Sequence, residues 1–578
     1  MFAKNQEISR LLYQIALYLE MEAVSFRSLA YQKAAFSIET LEEDIEDIYR
    51  RDSTAGLEKI PGVGKGLAKL IDEYFKTNKV RIYELYRKSM PIKIDELMAV
   101  EGIGPKTIKE LYQNLKVKNL ADLGKAAKAG KIRKLPNFGE KTEANIIESI
   151  EFLKRSQGRF LLGTILPVAE EIYERLSSFK EVEKISLAGS VRRMKETIGD
   201  VDFLVVSKNP QKVMDFFTAY PGIEKVWSKG STKSSVRTKE GFDMDIRVVP
   251  KESYGSALQY FTGSKEHNIV LRKIAINKGL KLNEYGVFKG KKLVAGKSEE
   301  EIYHLLGMEF IPPELRENQG EVEAAIANKL PKLVELADLK GDLHCHSSWD
   351  GGENSIKEMA LFAKALGYEY LGISDHTKFL RIENGLDEKK LLEQHQEINK
   401  LNQEFERKKD SFRILHGCEA NILADGSIDI NDETLAQLDY VIAGVHSQLK
   451  MEKDRMTERI IKAMRNPNVD IISHPTGRLL KRRDEYEADF NSLLAVARET
   501  GTVLEINSSP ERLDLNDKNI RKAKDMGVKM VINTDAHEKN QTRFAKYGVS
   551  QARRGWLEKG DVVNTQPVKT LQNSFKHN

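Results

Sequence analysis

Nine of the eleven histidines fall after residue 340, and their spacing is regular. From there a strand-like apolar run recurs as DLHCH, YLGISDH, RILHGCE, YVIAGVH, DIISH, VLEIN and KMVINTDAH. Helical stretches such as SIKEMALFAKALG and FNSLLAVARETG lie between these runs. Seven such repeats over roughly 235 residues specify parallel strands with crossover helices, a TIM-like barrel one unit short of eight. The strands of such a barrel end on one face. His344, His346, Asp350, His376, Glu419, His446, His474, Asp535 and His537 can therefore meet, although they are spread over nearly 200 residues. A lone histidine is usually packed or exposed. Recurrence at equivalent strand ends points instead to a metal centre, and a mix of imidazole and carboxylate suits Zn²⁺, Mn²⁺ or Fe²⁺. Cys345, between two of these groups, faces the other side of its strand as a core filler.

A chain of 578 residues exceeds one hydrophobic core, so two to four domains are expected. In the middle of the chain KISLAGS, DVDFLVVS and FDMDIRVV are β-branched, strand-like runs. Side chains alternate along a strand, so Asp200 and Asp202 project to one side while Val201 and Phe203 face a core. Asp245 can supply a third carboxylate. Three acidic groups held together repel unless a cation neutralises them, and two divalent ions in such a cluster form the usual site for in-line displacement at phosphorus. All-oxygen ligands favour Mg²⁺ or Mn²⁺. Ten residues upstream stands LAGSVRR, where a small Gly189–Ser190 turn lets N–H groups and a hydroxyl approach a triphosphate, with Arg193 as charged donor. A lone DxD is weak, but this spacing shifts the reading to nucleotidyl transfer.

Residues 1–50 read as two amphipathic helices with Ile8, Leu11, Leu12, Ile15, Ala16 and Leu19 at helical spacing. Three glycine-bearing turns follow, IPGVGKGLAKLI, VEGIGPKTIKEL and LPNFGEKTEANII, each opening a new helix. Such a turn exposes backbone N–H groups to a DNA phosphate without reading sequence. Gly62, Gly64 and Lys65, and Gly102, Gly104 and Lys106, form the paired signal, and Asn137–Gly139 a third. Residues 51–150 carry 20 Lys+Arg against 13 Asp+Glu, a local basic excess suited to phosphate.

Taken together, GSVRR…GDVD, DIRVVP and YFTGS resemble the palm and thumb of DNA polymerase beta and family X, and the paired turns resemble that family's helix-hairpin-helix motifs. The region 339–575 resembles the PHP (polymerase and histidinol phosphatase) family. The resemblance implies a multidomain α/β protein: a lyase-like helical domain over 1–85, a fingers-like region over 86–155, a nucleotidyltransferase-type palm over 156–258, a thumb over 259–316, a polar linker over 317–338 and a distorted (β/α)7 PHP barrel over 339–578. The segment 317–333 reads as a polar linker ending in a helix. It further implies that Asp200, Asp202 and Asp245 hold the polymerase metals, Asp245 on the proton-acceptor side, and that Gly189, Ser190 and Arg193 contact the triphosphate. Tyr260 and Phe261 resemble the sugar-facing pair, with Gly263 of the same segment at the nucleotide, and Asn268 and Arg272 resemble the residues that read the nascent pair. Two departures stand out: Met194 replaces the family's glycine, and Asp243 stands where polymerase beta has arginine. The PHP resemblance implies up to three metals that hydrolyse phosphoesters.

The function so implied is template-directed filling of short DNA gaps in base excision repair, with a PHP-domain 3′-5′ exonuclease, abasic-site endonuclease or both. A template-independent or RNA-directed nucleotidyltransferase shares the GS…DxD pattern, although the paired turns and YFTGS weigh against it. A DNA-end-binding scaffold with a structural PHP domain is the reading from another class, and intact ligand sets weigh against that. Expected partners are gapped or nicked DNA with a 5′ phosphate and dNTPs, with the protein a monomer. No apolar run approaches the roughly 20 residues a membrane span needs. The N-terminal MFAKNQEISR lacks the apolar core of a signal peptide, and two cysteines make no disulfide framework, so a cytoplasmic setting is expected. Tyr31 and Lys33 match family positions at a downstream 5′ phosphate. The family's Schiff-base lysine position holds Leu70, with Lys69 about 100° away around the helix, so weak or absent lyase activity is expected.

Overall fold

The computed structural model describes residues 3–576 except Ala23, Thr40, Glu42, Ala99, Glu101, Gly102, Asn137, Ser156 and Gln157. The chain forms two compact units, Met1–Gly158 with Lys481–Arg483, and the remainder. In the first unit, helices Ala3–Met21, Ser25–Glu39, Ile45–Leu57 and Lys65–Thr77 close around Ile8, Leu12, Ile15, Leu67 and Ile71. A second core gathers Leu97, Ile103, Ile108, Leu111, Leu123 and Ile146. Each such side chain contributes about 1.5–3 kcal/mol by leaving water.

The second unit opens with a five-stranded sheet. Its strands are β1 (Lys184–Ala188), β2 (Asp200–Val206), β3 (Ile223–Lys229), β4 (Lys233–Thr238) and β5 (Asp243–Val248), in spatial order β1-β2-β5-β4-β3. Only β2 and β5 pair in parallel, and their register sets Asp200 beside Asp243 and Asp202 beside Asp245. Helix Leu162–Ser177 covers the face that buries Val201, Phe203 and Val205. Helix Tyr254–Thr262 covers the other face over Leu204 and Val206. Asp200 is exposed and Asp202 half-buried at the start of a strand whose remaining residues are buried.

Helix Lys265–Asn277, a three-stranded meander (Lys281–Asn283, Gly286–Lys289, Lys292–Ala295) and helix Glu299–Leu305 pack around Leu271, Val287, Ile302 and Tyr303. The segment expected as a polar linker over 317–338 belongs to this core. Val322 and Ala325 are buried in it, and the helix is Glu321–Ile326, early in the segment instead of at its end. One of the charges that made the segment look solvated is spent inside. Glu321 is fully buried, pairs with His267 at 2.7 Å and accepts the N–H groups of Asn318 and Gln319.

The C-terminal region is a parallel barrel. Its strands are β6 (Gly341–Asp342), β7 (Tyr370–Ile373), β8 (Arg413–His416), β9 (Glu419–Asn421), β10 (Ile442–Gly444), β11 (Ile471–Ile472), β12 (Val503–Asn507) and β13 (Met530–Asn533). β8 and β9 are two halves of one strand broken at Gly417–Cys418, one pairing with β7 and the other with β10, which leaves seven strand positions. The ring closes where Cys345 bridges Ala536 in parallel and the His346 N–H reaches Ala536 O at 2.8 Å. Tyr440 is buried among the strands, and glycine is required around it: a Cβ on Gly372 would stand 2.2 Å from its hydroxyl oxygen and one on Gly417 2.4 Å from its ring. The barrel and the sheet share apolar surface. Leu513 and Tyr547 lie in the same cluster as Phe203 and Leu166.

Candidate active sites

At the open end of β2 the side chains of Asp202 and Asp245 face one another across the parallel pair. Burial, then Asp200 and Asp245, push the Asp202 carboxyl up to about 7, while Arg247 and Lys233 pull it down. Like charges held this close raise one another's proton affinity unless a cation offsets them. Lys233 Nζ sits 2.9 Å from Asp245 Oδ2. Asp243 does not join the cluster, because Arg237 holds it bidentately at 2.8 and 2.9 Å and Trp227 Nε1 donates to it. Its departure from the family pattern therefore leaves the three expected ligands uncrowded. Gly189 takes φ +66, and a Cβ there would come 2.8 Å from Asp202 Oδ2, so the turn can approach this carboxylate only as glycine.

The GS turn is tied to the YFTGS segment by its two arginines. Arg192 bonds Thr262 Oγ1 at 2.6 Å and Glu299 at 2.6 and 3.0 Å, and Glu299 is buried against Arg316. Arg193 donates to the Thr262 carbonyl and pairs with Glu317 at 3.0 Å. Glu317 also receives Arg554 of the barrel at 3.1 Å, and Arg554 bonds the Arg193 carbonyl. Tyr260 and Phe261 pack edge to face at 5.2 Å, with Arg247 over the Phe261 ring. Gly263 adopts φ +67 beside Arg193. Asn268 is placed differently from a base-reading residue. It is buried, accepts from Gln259 at 2.6 Å and donates to Tyr260 O at 2.7 Å, while Arg272 donates to its carbonyl.

In the first unit, Gly64 and Gly104 are the N-caps of helices Lys65–Thr77 and Pro105–Leu115, and neither helix has a side-chain cap. The first N–H groups, from Lys65 in one helix and from Lys106 in the other because Pro105 has none, are thus left for an incoming acceptor, and both lysines are exposed. Gly62 needs its φ of +77 to pass Lys33. Gly102 and Asn137 lie outside the described residues. After Gly139 the helix starts with acids, and Glu143 is spent on Arg133 and the Ile132 N–H, which makes this turn a closed one. Tyr31 and Leu70 lie in the core, whereas Lys33 and Lys69 are exposed.

The barrel brings its strand-end groups together around Glu419. Glu419 Oε2 lies 2.8 Å from His376 Nδ1 and 3.3 Å from His344 Nε2, and Oε1 lies 3.2 Å from His446 Nε2 and 3.0 Å from His474 Nε2. Asp535 Oδ1 faces His346 Nε2 at 3.3 Å and His344 Nε2 at 3.6 Å, and His537 stacks on His346 with centroids 4.0 Å apart. Four of these atoms, His344 Nε2, His346 Nε2, His376 Nδ1 and Glu419 Oε2, are buried and make no hydrogen bond. Buried polar atoms are almost always satisfied. Divalent ions at the subsets His344–His346–Asp535, His376–Glu419–His446 and His346–His376–His537 would satisfy all four. The residues present fit such ions.

The far nitrogens of the rings are held as metal-bound histidines usually are. His344 Nδ1 meets Glu505 at 2.7 Å, His446 Nδ1 meets Asn421 at 2.7 Å, and His346 Nδ1 meets Asp350 at 2.8 Å. Asp350, expected among the ligands, accepts also from the backbone N–H groups of His376 and Gly352, and with His346 and Asp375 it forms a further group that could hold an ion. Burial opposes charge on His346, but Asp350 outweighs it and the ring is pushed up to about 10. His474 and His537 are lowered to about 4, first by burial, then by Arg512 and His346 respectively. Glu505 was missed by sequence reasoning. Its signal was a carboxylate inside the apolar run VLEIN, where each residue is buried. Cys345 packs with Ile356, Leu371 and Ile414, away from the centre.

The chain matches family models for a helix-hairpin-helix domain over residues 3–80, a SAM-like helix-hairpin-helix tandem over 94–151, a DNA polymerase beta thumb over 257–317 and a PHP domain over 342–509. It is 39% identical to the DNA polymerase/3′-5′ exonuclease PolX of Bacillus subtilis, across 99% of this chain and 100% of that protein. Over 34% of the chain it is 31% identical to a probable phosphatase of Clostridium acetobutylicum, spanning 78% of that protein. Over 22% it is 36% identical to a probable phosphatase of a Thermoanaerobacter species, spanning 54% of it.

The raised Asp202 carboxyl carries a sign. A folded-state value of about 7 against about 4 in the unfolded chain means that folding of the metal-free protein weakens as pH rises from 4 to 7. In chelator, Asp202→Asn should therefore raise the melting temperature at pH 8 and change it little at pH 4. A lowered melting temperature at pH 8 would mean that these carboxylates are not under mutual repulsion.

Proposed function

Since the chain belongs to the PolX family of DNA polymerase/3′-5′ exonucleases, we propose that it fills short gaps in DNA during base excision repair, its two activities residing in separate metal centres. Both activities depend on divalent metal and act on DNA, with dNTPs as the polymerase substrate. Polymerisation is assigned to Asp200, Asp202 and Asp245, a reading supported above all by the parallel register that sets Asp202 beside Asp245. Mg²⁺ or Mn²⁺ bound there would neutralise charge developing at phosphorus. Ser190, the Gly189 turn and Arg193 would hold the triphosphate, Tyr260, Phe261 and Gly263 would face the sugar, and Arg272 the nascent pair. Because the Asn268 amide is engaged within its own helices, reading of the pair by this residue requires it to be released.

The exonuclease is assigned to the barrel, with His344, His346, Asp350, His376, Glu419, His446, His474, Asp535 and His537 as ligands of up to three Zn²⁺, Mn²⁺ or Fe²⁺ ions. Glu505 orients the His344 ring. The four orphaned atoms support an occupied centre over a scaffold. The open N-termini after Gly64 and Gly104, with Lys65 and Lys106, support phosphate contact to either side of a gap, and Lys33 beside Gly62 supports a downstream 5′ phosphate. A monomer suffices, since no ligand of either centre has to come from a second copy. No described helix is long and apolar enough to cross a membrane.

A labelled gapped duplex with a 5′ phosphate separates the two activities. Exchange of both His344 and His346 for Ala should abolish primer shortening and leave nucleotide addition nearly intact, whereas Asp202→Asn should cost addition several orders of magnitude and spare shortening. Shortening that survives the double exchange would move the nuclease elsewhere.

Leu70 is 9% exposed in an apolar core. The domain thus offers no amine at the family's Schiff-base position, and abasic-site processing falls to the barrel. Borohydride should trap no efficient adduct on a 5′-deoxyribose phosphate substrate; an adduct lost in Lys69→Ala would overturn this.

A further inference from the structure

The loop that follows β12 carries a guanidinium that neither centre uses. Arg512 is about one-fifth exposed, and its Nε stands 3.5 Å from Asp535 Oδ2. Among the described residues its side chain makes no hydrogen bond. Asp535 does not need it for orientation, because Asn507 Nδ2 donates to the same Oδ2 at 3.0 Å and Oδ1 turns toward His344 and His346. A half-sheltered cation beside a cluster built to gather cations is costly unless an anion comes between them. The planar fork of a guanidinium matches two non-bridging oxygens of a phosphate.

The loop is also held still. Arg478, nearly buried, donates to the carbonyls of Arg512 and Leu513 and pairs with Glu196 of the five-stranded-sheet region at 2.8 Å. Leu513 is buried in that region's core, and a Cβ on Gly163 would come 2.2 Å from Pro510 Cβ. Two anchors on either side of Arg512 fix its backbone relative to the barrel mouth. Only the side chain is left to serve a ligand.

We propose that Arg512 is the phosphate anchor of the barrel's nuclease: its unspent donors grip the non-bridging oxygens of the phosphodiester at a DNA 3′ end, and then those of the deoxynucleoside 5′-monophosphate that is released. The proposal rests on reading the barrel as the exonuclease. It also gives the fusion of the two domains a physical content, since Glu196, in the segment between Arg193 and Asp200, steadies the loop that presents the anchor.

Thymidine 5′-monophosphate p-nitrophenyl ester is the probe, because it carries one phosphodiester and no duplex for the rest of the chain to grip. Its hydrolysis to TMP and p-nitrophenol is followed with dAMP, a product the exonuclease would release from DNA, as competing inhibitor, and bound metal is counted by mass spectrometry. Arg512→Gln should raise KM and the dAMP inhibition constant together, each at least tenfold, with metal content unchanged. Arg512→Lys should fall between the two. Unchanged KM and inhibition constant would overturn the anchor, and so would metal loss in Arg512→Gln, which would make the residue a support for Asp535. The protein with both His344 and His346 changed to Ala, run in parallel, separates the premises. If it still hydrolyses the ester, the nuclease reading fails. If it is inert while Arg512→Gln behaves as the parent, the anchor alone fails.

Discussion

Parallel strand register is the constraint on which both centres depend. In parallel pairing, side chains at matched positions point the same way and strand ends stack at one edge. In the sheet this sets Asp202 against Asp245, a repulsion that drives the Asp202 carboxyl to about 7. In the barrel it gathers six imidazoles around Glu419 and Asp535 and leaves four buried atoms without a hydrogen bond. Hydrophobic packing of Val201, Phe203 and Val205, and of Leu343, Ile442, Ile471 and Val531, supplies the free energy that holds these groups together. The apolar faces fix the register, and the register fixes the charge.

The two centres share more than a chain. The GS turn is braced by Arg192 on Glu299 and by Arg193 on Glu317, and Glu317 is held in turn by Arg554 of the barrel. On the other side, Glu196 holds Arg478 and thereby the loop that ends in Leu513. Each centre therefore leans on residues of the other region through partly buried ion pairs. Such pairs add little net stability, but removing one partner leaves a stranded charge, which makes the arrangement specific.

Much of this was legible in the sequence because it follows from periodicity. Alternation along GDVDFLVV put Asp200 and Asp202 on one face, and recurrence at strand ends exposed the histidines. What escaped has a tertiary cause. Glu505 sits within an apolar strand, and only the neighbouring His344 ring shows what its charge does there. The segment 317–338 counted as polar because Glu317 and Glu321 look solvent-seeking until Arg193, Arg554 and His267 appear opposite them. Asn268 looks available in sequence and is consumed by Gln259 and Tyr260 in the fold.

The most direct test of the account is anomalous diffraction at the manganese edge from crystals of metal-stripped, Mn²⁺-loaded protein. The account predicts peaks in two separate places. One is bounded by Asp200, Asp202 and Asp245, and the other by His344, His346, His376, Glu419 and Asp535. Peaks confined to other residues, with either cluster's polar atoms satisfied by the protein itself, would contradict it.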